Sequence, residues 1–411
     1  MIAQNKPPHH DPAIESGTAP PCETYTQRIS VPFEYPVHFG HAVFSPGNTV
    51  LVDAIDRLKE CRAHRVVVYL DDGLVAARPD LIHQVTTYFH EYQDRLELCG
   101  MPNVVRGGES AKRGWEAVSE VMWTIGNLHL DRQSVVMVAG GGALLDMIGF
   151  AASLVHRGLR VVRLPSTVLA QNDAGVGVKN GMDEHGMKNF VGTFSPPFAV
   201  VNDYDLLSTL ADRDWIGGVA EAFKVAIIKD AEFFSFLCRH AKELRERDAA
   251  TMEHLVHHCA VLHLEHIRTG GDPFEFGSAR PLDFGHWAAH RIESMTGYRI
   301  GHGQAVAIGI ALDSHYAMVE KLITPFDFER IVTALGECGL PIWDKCLDER
   351  NEVGGLVIVD GIEQFREHLG GRLCITLPDG IGRRREVHHI DVGRVGDAVA
   401  CLRPLSLEEA S

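Results

Sequence analysis

The chain has 411 residues, of which 45% are hydrophobic and 23% are charged, and these values are typical of a globular protein long enough for two ordinary domains. No apolar run reaches the roughly 18 residues that a membrane-spanning helix needs, which predicts a soluble protein. The formal net charge of -16 argues against a general surface for nucleic acid or anionic lipid, because both need a basic footprint. An anionic ligand must therefore bind in a local basic pocket.

The first segment, residues 1–28, is rich in proline and polar residues and lacks the basic and apolar regions of a secretory signal. We expect a flexible extension there. The nine cysteines are odd in number, and no two are spaced as C-x-x-C. This pattern suits a reducing cytoplasm and offers no thiolate metal site.

Residues 29–205 alternate short β-branched runs, such as RVVVYLDD, SVVMVAGGG and LRVVRLPST, with helical patterns. The alternation predicts a parallel α/β domain. Residues 206–411 consist mostly of long amphipathic segments, with few strand candidates before GGRLCITLPDGIG. A mainly helical second domain is predicted for them.

An apolar strand runs into three glycines and then a helix in VVMVAGGGALLDMIGFAA. Glycines let a backbone approach a pyrophosphate, and a helix amino terminus offers free N–H groups, so this turn is a candidate dinucleotide site. The spacing is not G-x-G-x-x-G, and a tight strand-to-helix turn is the alternative. Asp146, near the first turns of the helix, could cap it, bind a nucleotide or do neither.

A second glycine-rich segment follows, LPSTVLAQNDAGVGVKNGMDEHGMKNFVGTF, which we interpret as a loop. It holds residue types expected where backbone amides and lysines meet a sugar phosphate, namely Asp173, Lys179, Lys188 and Asn189. A surface loop with solvated lysines is the alternative. Two lysines with an adjacent asparagine favour ligand binding.

The helical segments supply a possible metal set. Glu221 and Lys224 in GGVAEAFK are three residues apart and share a helix face, as do His286 and His290 in DFGHWAAH, which are four apart. His302 follows in RIGHGQAVAIG. One glutamate and two histidines form a known catalytic zinc set. With 23 histidines in the chain, chance clustering is the alternative.

These blocks, in this order, resemble the 3-dehydroquinate synthase-like, or sugar phosphate cyclase, family from about Val67 to Gly380. GGGALLD is similar to the family's GGG-x-x-x-D, LPSTVLAQNDAGVGVK to PTT-x-L-A-x-x-D-x-x-x-G-x-K, and MKN to GKN. GVAEAFK is similar to G-x-AE-x-x-K, DFGHWAAH to N-F-G-H-x-x-G-H, and HGQAVAIG to HG-x-A-V-A-x-G.

The resemblance implies the dehydroquinate synthase-like fold, in which an α/β N-terminal Rossmann-like NAD-binding domain precedes a mainly α-helical C-terminal metal-binding domain. It also implies a carbon–oxygen lyase that converts a seven-carbon ketose phosphate into a carbocycle with loss of inorganic phosphate. NAD is used catalytically in such an enzyme, so no net redox change occurs.

The resemblance further implies roles for single residues. The ligands of zinc or cobalt are Glu221, His286 and His302. The NAD contacts are Asp71, Glu109, Lys112, Gly141, Gly142, Asp146, Ser166, Thr167 and Lys188. The residues around the substrate are Asp173, Lys179, Asn189, Lys224, Asp283 and His290. Arg157 resembles an arginine that reaches a phosphate across the dimer interface, which implies a homodimer.

Departures from the family pattern concern the substrate. Asp283 stands where 3-dehydroquinate synthases have asparagine. The arginine that meets the substrate carboxylate is displaced, with Ala279 in its place and Arg280 beside it, and an upstream lysine falls on Glu265 or His266. These departures favour an uncharged end, as in sedoheptulose 7-phosphate, over 3-deoxy-heptulosonate 7-phosphate, although Arg280 could replace the missing arginine. FEFGSARPLDFGHWAAH most resembles a branch found in Ebo-type gene clusters.

Two other functions stay open. A polyol dehydrogenase of the glycerol dehydrogenase type shares the two-domain plan, NAD and a metal, and would produce net NADH, whereas the lysine-rich segment favours the cyclase. A non-catalytic homologue is conceivable because of Ala279 and Asp283. Retention of all three candidate metal ligands argues against it.

Overall fold

The computed structural model describes residues 24–185, 187–270, 272–274, 282–368 and 370–408. Residues 24–34 belong to a unit separate from the rest and form no helix or strand, and the compact unit begins at Tyr35. Most of the predicted extension lies outside the described residues, as do Ala279 and Arg280. The domain boundaries at residues 28 and 205 stay predictions.

The strands of the compact unit are, in chain order, β1 (Val37–Gly40), β2 (His64–Asp71), β3 (Leu96–Leu98), β4 (Asn103–Val105), β5 (Val135–Gly140), β6 (Arg160–Pro165), β7 (Lys179–Glu184), β8 (Met187–Phe194), β9 (Ala199–Asp203), β10 (Ile375–Pro378) and β11 (Arg384–Val387). Seven of them form one parallel sheet in the order β1-β9-β6-β5-β2-β3, with β4 also paired to β2. The two remaining pairs, β7 with β8 and β10 with β11, are antiparallel.

The helices are, in chain order, α1 (Val50–Ile55), α2 (Asp72–Ala77), α3 (Leu81–Glu91), α4 (Trp115–Asn127), α5 (Gly142–Leu154), α6 (Asp212–Gly217), α7 (Val219–Lys229), α8 (Ala231–Arg239), α9 (Ala241–Arg245), α10 (Ala249–Thr269), α11 (His286–Met295), α12 (His302–Val319), α13 (Pro325–Glu337), α14 (Asp360–His368) and α15 (Val392–Glu408). Short helical turns lie between them. No helix in the described part of the chain is long and apolar enough to cross a membrane.

The central strands of the sheet are buried on both faces. In β2, Val66, Val68 and Leu70 pack in the core on one face, whereas Val67 and Tyr69 pack in the core on the other. Successive side chains of a strand point to opposite faces, so a continuous apolar run needs a helical layer on each side. This arrangement confirms the predicted parallel α/β fold of the first part.

The helices from α6 onward share one large apolar core, to which Phe223, Phe284 and Ile308 contribute fully buried side chains. Only the β10–β11 pair interrupts the helical pattern among the described residues after Asp205. The predicted mainly helical second part is therefore confirmed. It packs on the first part within one compact unit.

The segment that we interpreted as a glycine-rich loop is in part a β-hairpin. Lys179 pairs with Phe194, and Gly181 pairs with Gly192 directly across the two strands. A Cβ atom on Gly192 would lie 2.6 Å from the carbonyl oxygen of Asn180. These glycines therefore allow close pairing of two strands, and the loop interpretation was wrong for residues 179–184 and 187–194.

Candidate active site

The candidate cofactor residues gather where neighbouring strands of the sheet end. Asp71 is the last residue of β2, β5 runs directly into Gly141 and Gly142 at the start of α5, and Ser166 and Thr167 follow β6. Because these strands are parallel neighbours, their carboxyl ends lie at one edge of the sheet. Open α/β sheets bind their ligands at this edge, and the amino terminus of α5 suits an anion there.

Asp71 also has a structural task. Its Oδ1 accepts hydrogen bonds from the N–H groups of Gly73 at 2.9 Å and Leu74 at 3.2 Å, which caps α2. Burial raises the pKa of Asp71, although the N–H groups of Leu74, Gly73 and Gly141 act in the opposite direction. The contact with Gly141 brings this carboxylate to the glycine turn.

A lysine cluster joins the cofactor candidates to a substrate candidate. Lys112 Nζ donates hydrogen bonds to Asp146 Oδ2 at 2.7 Å and to Asn189 Oδ1 at 2.5 Å. Glu109 opens the short turn that ends at Lys112, and its Oε2 lies 3.8 Å from Lys188 Nζ. The residues predicted for NAD and for the substrate therefore adjoin each other here.

The predicted metal set comes together from three helices. One ligand atom each of Glu221 on α7, His286 on α11 and His302 on α12 lies within 4.8 Å of the other two. Glu221 Oε1 is 3.3 Å from His302 Nε2 and 3.7 Å from His286 Nε2. This oxygen is buried and makes no hydrogen bond of good geometry to any residue that the structure describes. An orphaned carboxylate oxygen between two imidazole nitrogens suits a divalent cation such as zinc.

The helix starts place both imidazoles. His286 is the first residue of α11, and His302 is the first residue of α12. Gly285, directly before α11, has a φ of +79°, and a Cβ atom there would lie 2.8 Å from the backbone nitrogen of Ile310 on α12. Glycine is therefore required for the two helices to approach closely enough.

Lys224 sets the electrostatics of the site. Its Nζ contacts Glu221 Oε2, three residues earlier on α7, and lies 3.7 Å from Asp173 Oδ2. Burial lowers the pKa of Lys224, but Glu221 and Asp173 raise it more, so the lysine stays a cation. Burial and this cation lower the pKa of His286 to about 4. The imidazole is therefore neutral at physiological pH, and the neutral form binds metals.

Three residues of the site, the half-buried His263 and the buried Glu293 and Asp313, were not selected from the sequence. His263 on α10 places Nδ1 3.0 Å from Asp173 Oδ1. Glu293 on α11 contacts His302, and Asp313 on α12 binds the N–H group of Gly285. Glu293 follows His286 by seven residues, which places both on one helix face, and this spacing was an available signal. His263 had no such signal among 23 histidines.

The other predicted substrate residues differ in their exposure, and His290 is the one with measured distances to the metal-set imidazoles. The ring of His290 lies 5.5 Å from that of His286 and 6.3 Å from that of His302, and its side chain is exposed. Lys179 is exposed at the start of β7, Asp283 is half-buried just before α11, and Arg157 is exposed on the turn after α5. Arg280 lies outside the described residues.

Comparison with known proteins covers both parts of the fold. The 3-dehydroquinate synthase N-terminal family model matches residues 103–217, and the 3-dehydroquinate synthase C-terminal model matches residues 218–354. The second match begins just before α7 and includes all three residues of the candidate metal set.

Individual relatives are similar over most of the chain. The 2-epi-valiolone synthase of Actinosynnema mirum is 32% identical over 333 residues, which cover 80% of this chain and 83% of that protein. The 3-dehydroquinate synthase of Rhodopirellula baltica is 35% identical over 333 residues, which cover 79% and 86%. The solved structure of ValA, a 2-epi-5-epi-valiolone synthase from Streptomyces hygroscopicus with NAD+ and Zn2+ bound, has a TM-score of 0.81 at 27% identity and covers 93% of this chain and 100% of that chain.

Proposed function

The chain belongs to the 3-dehydroquinate synthase family, and we propose that it is a sugar phosphate cyclase, which converts a seven-carbon ketose phosphate into a carbocycle with loss of inorganic phosphate. The observation that carries the proposal is that Lys224 lies beside both Glu221, a member of the metal set, and Asp173. A cation site beside a lysine and a second carboxylate suits chemistry at a carbon that bears a hydroxyl group.

NAD and a divalent metal, zinc or cobalt, fit the residues that are present. The Glu221 oxygen without a hydrogen-bond partner among the described residues suits the metal. The carboxyl ends of the parallel strands, at Asp71 and Gly141, suit the dinucleotide. The NAD+ and Zn2+ bound to ValA support the same assignment. When bound, NAD supplies a reversible hydride acceptor and the metal supplies a Lewis acid that polarises a substrate oxygen.

Asp173 and Lys224 orient substrate hydroxyl groups in this proposal. Burial raises the pKa of Asp173, but the Lys224 cation and His263 lower it by more, so the net shift is downward and Asp173 is ionised. An ionised carboxylate accepts hydrogen bonds from hydroxyl groups, and the lysine donates to the neighbouring oxygens. The pair thereby fixes the face of the sugar that meets the metal set.

Lys179, Asn189 and His290 hold the phosphate in this proposal, together with Arg157 of the partner subunit. Asn189 accepts a hydrogen bond from Lys112, which is one of the candidate NAD contacts, and the ring of His290 lies beside those of His286 and His302. In this proposal, a phosphate bound between Asn189 and His290 lies between the candidate NAD residues and the metal set. A shared site of this kind requires a homodimer, and the scattered cysteines favour the cytoplasm as its compartment.

Asp283 favours an uncharged substrate end. Burial lowers the pKa of Lys224, whereas Glu221, Asp173 and Asp283 raise it, so Asp283 acts on the same cation as the metal set. A carboxylated end would meet this acid, whereas a hydroxymethyl group would donate a hydrogen bond to it. A buried carboxylate without a cationic partner costs about 2–5 kcal/mol. Sedoheptulose 7-phosphate is therefore favoured over 3-deoxy-heptulosonate 7-phosphate, unless Arg280 supplies the cation.

Release of inorganic phosphate from both substrates, with NAD and zinc present, tests the function. We expect a higher kcat/KM with sedoheptulose 7-phosphate, no net NADH, and loss of turnover in Lys224→Met. A higher kcat/KM with the carboxylated substrate would reject the Asp283 argument, and loss of that activity in Arg280→Ala would explain it. Net NADH from a polyol without phosphate release would establish a polyol dehydrogenase instead. No turnover of either kind would favour the non-catalytic homologue.

A further inference from the structure

Glu293 is a buried carboxylate whose two oxygens face different partners. The residue is 2% exposed. Oε2 lies 3.3 Å from His302 Nδ1, and Oε1 accepts a hydrogen bond from Lys188 Nζ at 2.8 Å. The residue therefore stands between a candidate metal ligand on α12 and the β7–β8 hairpin.

The contact with His302 bears on the metal because an imidazole has two distinct nitrogens. In the neutral ring one nitrogen carries a proton and the other offers a lone pair. His302 turns Nδ1 towards Glu293 and Nε2 towards Glu221, at 3.3 Å in each case. A carboxylate that accepts a hydrogen bond from Nδ1–H keeps the lone pair on Nε2, where the metal set needs it.

We propose that Glu293 is a positioning residue for the metal centre, which fixes the tautomer and the ring orientation of His302 without binding the metal or the substrate. The proposal rests on the proposed metal site of Glu221, His286 and His302. It goes beyond that site because it assigns a task to a residue outside the ligand set.

Lys188 completes the arrangement. A buried carboxylate needs a cationic or hydrogen-bonding partner on each oxygen, and Lys188 supplies the partner for Oε1. Its neighbour Asn189 accepts a hydrogen bond from Lys112, which also binds Asp146 on α5. The orientation of a metal ligand is thereby tied to the helix that begins at the cofactor turn.

A purely structural role would give a different result. If Glu293 only joins α11 to β8, removing its charge changes the stability of the fold and leaves metal affinity unchanged. If it positions His302, metal affinity falls and the geometry of the bound metal changes. Substitution of second-layer carboxylates costs about 10–100-fold in metal affinity.

The test measures Zn2+ affinity by competition with a chromophoric chelator, and the visible spectrum of bound Co2+, on full-length chelator-stripped protein without substrate. Glu293→Gln should bind Zn2+ about 10–100-fold more weakly than wild type and show altered Co2+ bands. Lys188→Met should shift affinity in the same direction by a smaller factor. Glu329→Gln makes the same chemical change at an exposed position of α13 and should match wild type.

Each outcome decides something. Wild-type affinity and spectrum in a folded Glu293→Gln protein would overturn the positioning role, provided that His286→Ala has lost the metal. If Glu293→Gln does not fold, unchanged affinity in Lys188→Met overturns it instead. Full metal content in His286→Ala would show that the metal site is elsewhere, and both the site and the role of Glu293 would then be wrong.

Discussion

Arg163 on β6 is fully buried, and its guanidinium organises the backbone that leads to Lys179. Nη1 donates hydrogen bonds to the carbonyl oxygens of Gly175 at 3.1 Å and Gly177 at 2.9 Å. Nη2 donates to the carbonyl oxygen of Lys179 at 3.2 Å and to Asn180 Oδ1 at 2.6 Å. Burial lowers the pKa of Arg163, although the charge of Asp146 acts in the opposite direction, and the hydrogen-bond partners themselves are neutral oxygens. The arginine thus holds the segment between two proposed substrate residues.

Arg163→Met should lower the free energy of unfolding by about 3 kcal/mol or more, because several buried oxygens lose their donors. The segment at Lys179 would also shift, so kcat/KM should fall in the fraction that stays folded. Urea-induced unfolding of metal-stripped protein measures the first effect. Arg132→Met, at an exposed position, is the control and should change stability by less than about 0.5 kcal/mol. Equal stability of the two variants would contradict the role of Arg163.

Single residues differed in how far the sequence could predict them. Glu221, His286 and His302 lie in blocks whose spacing and order are specific, and the structure brings all three together. His263 and Glu293 act through partners far away in the chain, at separations of 90 and 105 residues from Asp173 and Lys188 in the sequence. Because only the folded chain creates those contacts, local sequence could not predict the partners. The seven-residue spacing of Glu293 from His286 was a local signal for Glu293, whereas His263 had none.

At the scale of elements, the junction of α11 and α12 is the part of the fold that positions the metal set. Gly285→Ala would force a residue with a side chain into a φ of +79° and place its Cβ atom 2.8 Å from the nitrogen of Ile310. Gly47 has a φ of +76°, and no atom of the described part of the chain lies within 4 Å of such a Cβ, so Gly47→Ala isolates the backbone strain. The strain alone costs about 1–2 kcal/mol.

Gly285→Ala should therefore destabilise the protein by about 1–3 kcal/mol more than Gly47→Ala, since overpacking adds to the strain. It should also weaken metal binding, because His286 is the next residue. Thermal unfolding and Zn2+ titration of both variants measure these effects. Equal losses of stability, with unchanged Zn2+ affinity in both, would show that α11 can shift without cost.

Asp313 on α12 stabilises the same junction through two hydrogen bonds. Its Oδ2 accepts a hydrogen bond from the N–H group of Gly285 at 2.9 Å, and its Oδ1 accepts one from Trp287 Nε1 at 2.8 Å. Burial raises the pKa of Asp313 to about 7, although both donors lower it. Between about pH 4 and pH 7 the folded protein therefore keeps a proton on Asp313 that the unfolded chain has lost. This carboxyl group makes the fold less stable as the pH rises through that window.

Asp313→Asn should remove this pH dependence. The slope of the unfolding free energy against pH should become more positive by about 1.4 kcal/mol per pH unit between pH 4 and pH 7. Urea-induced unfolding of metal-stripped protein at several pH values gives both slopes. Asp94→Asn makes the same change at an exposed position and should leave the slope as in wild type. Parallel slopes for Asp313→Asn and wild type would mean that Asp313 is ionised throughout.

The elements themselves were predictable where periodicity is strong. The β-branched runs of β2, β5 and β6 and the amphipathic segments after Asp205 gave the correct architecture, because burial on two faces or on one face leaves a distinct pattern. The β7–β8 hairpin was not predicted, because glycine and asparagine at Asn180, Gly181 and Gly192 are also turn residues. Their function in close strand pairing depends on the partner strand, which the local sequence does not reveal.

For the whole molecule, the net charge of -16 makes local cations decisive for an anionic substrate. Lys112, Lys188 and Lys224 each contact a carboxylate, so much of their charge is balanced within the site. Arg157 is exposed and makes no salt bridge or hydrogen bond within the described residues. An arginine placed in this way is available to a phosphate on a second subunit, which agrees with the proposed homodimer.

Mixing two inactive variants tests whether the subunits share their sites. Arg157→Ala and Lys179→Ala chains should each have low activity alone, because each lacks one phosphate ligand. In a hybrid dimer, the site built around the intact Lys179 receives the intact Arg157 of the partner subunit, whereas the other site lacks both. Random exchange makes half of the dimers hybrids with one complete site in two, so the mixture should recover about a quarter of wild-type phosphate release. If Arg157 instead serves its own chain, no site in the hybrid holds both residues, and absence of recovery despite subunit exchange proven by mass spectrometry would reject the shared site.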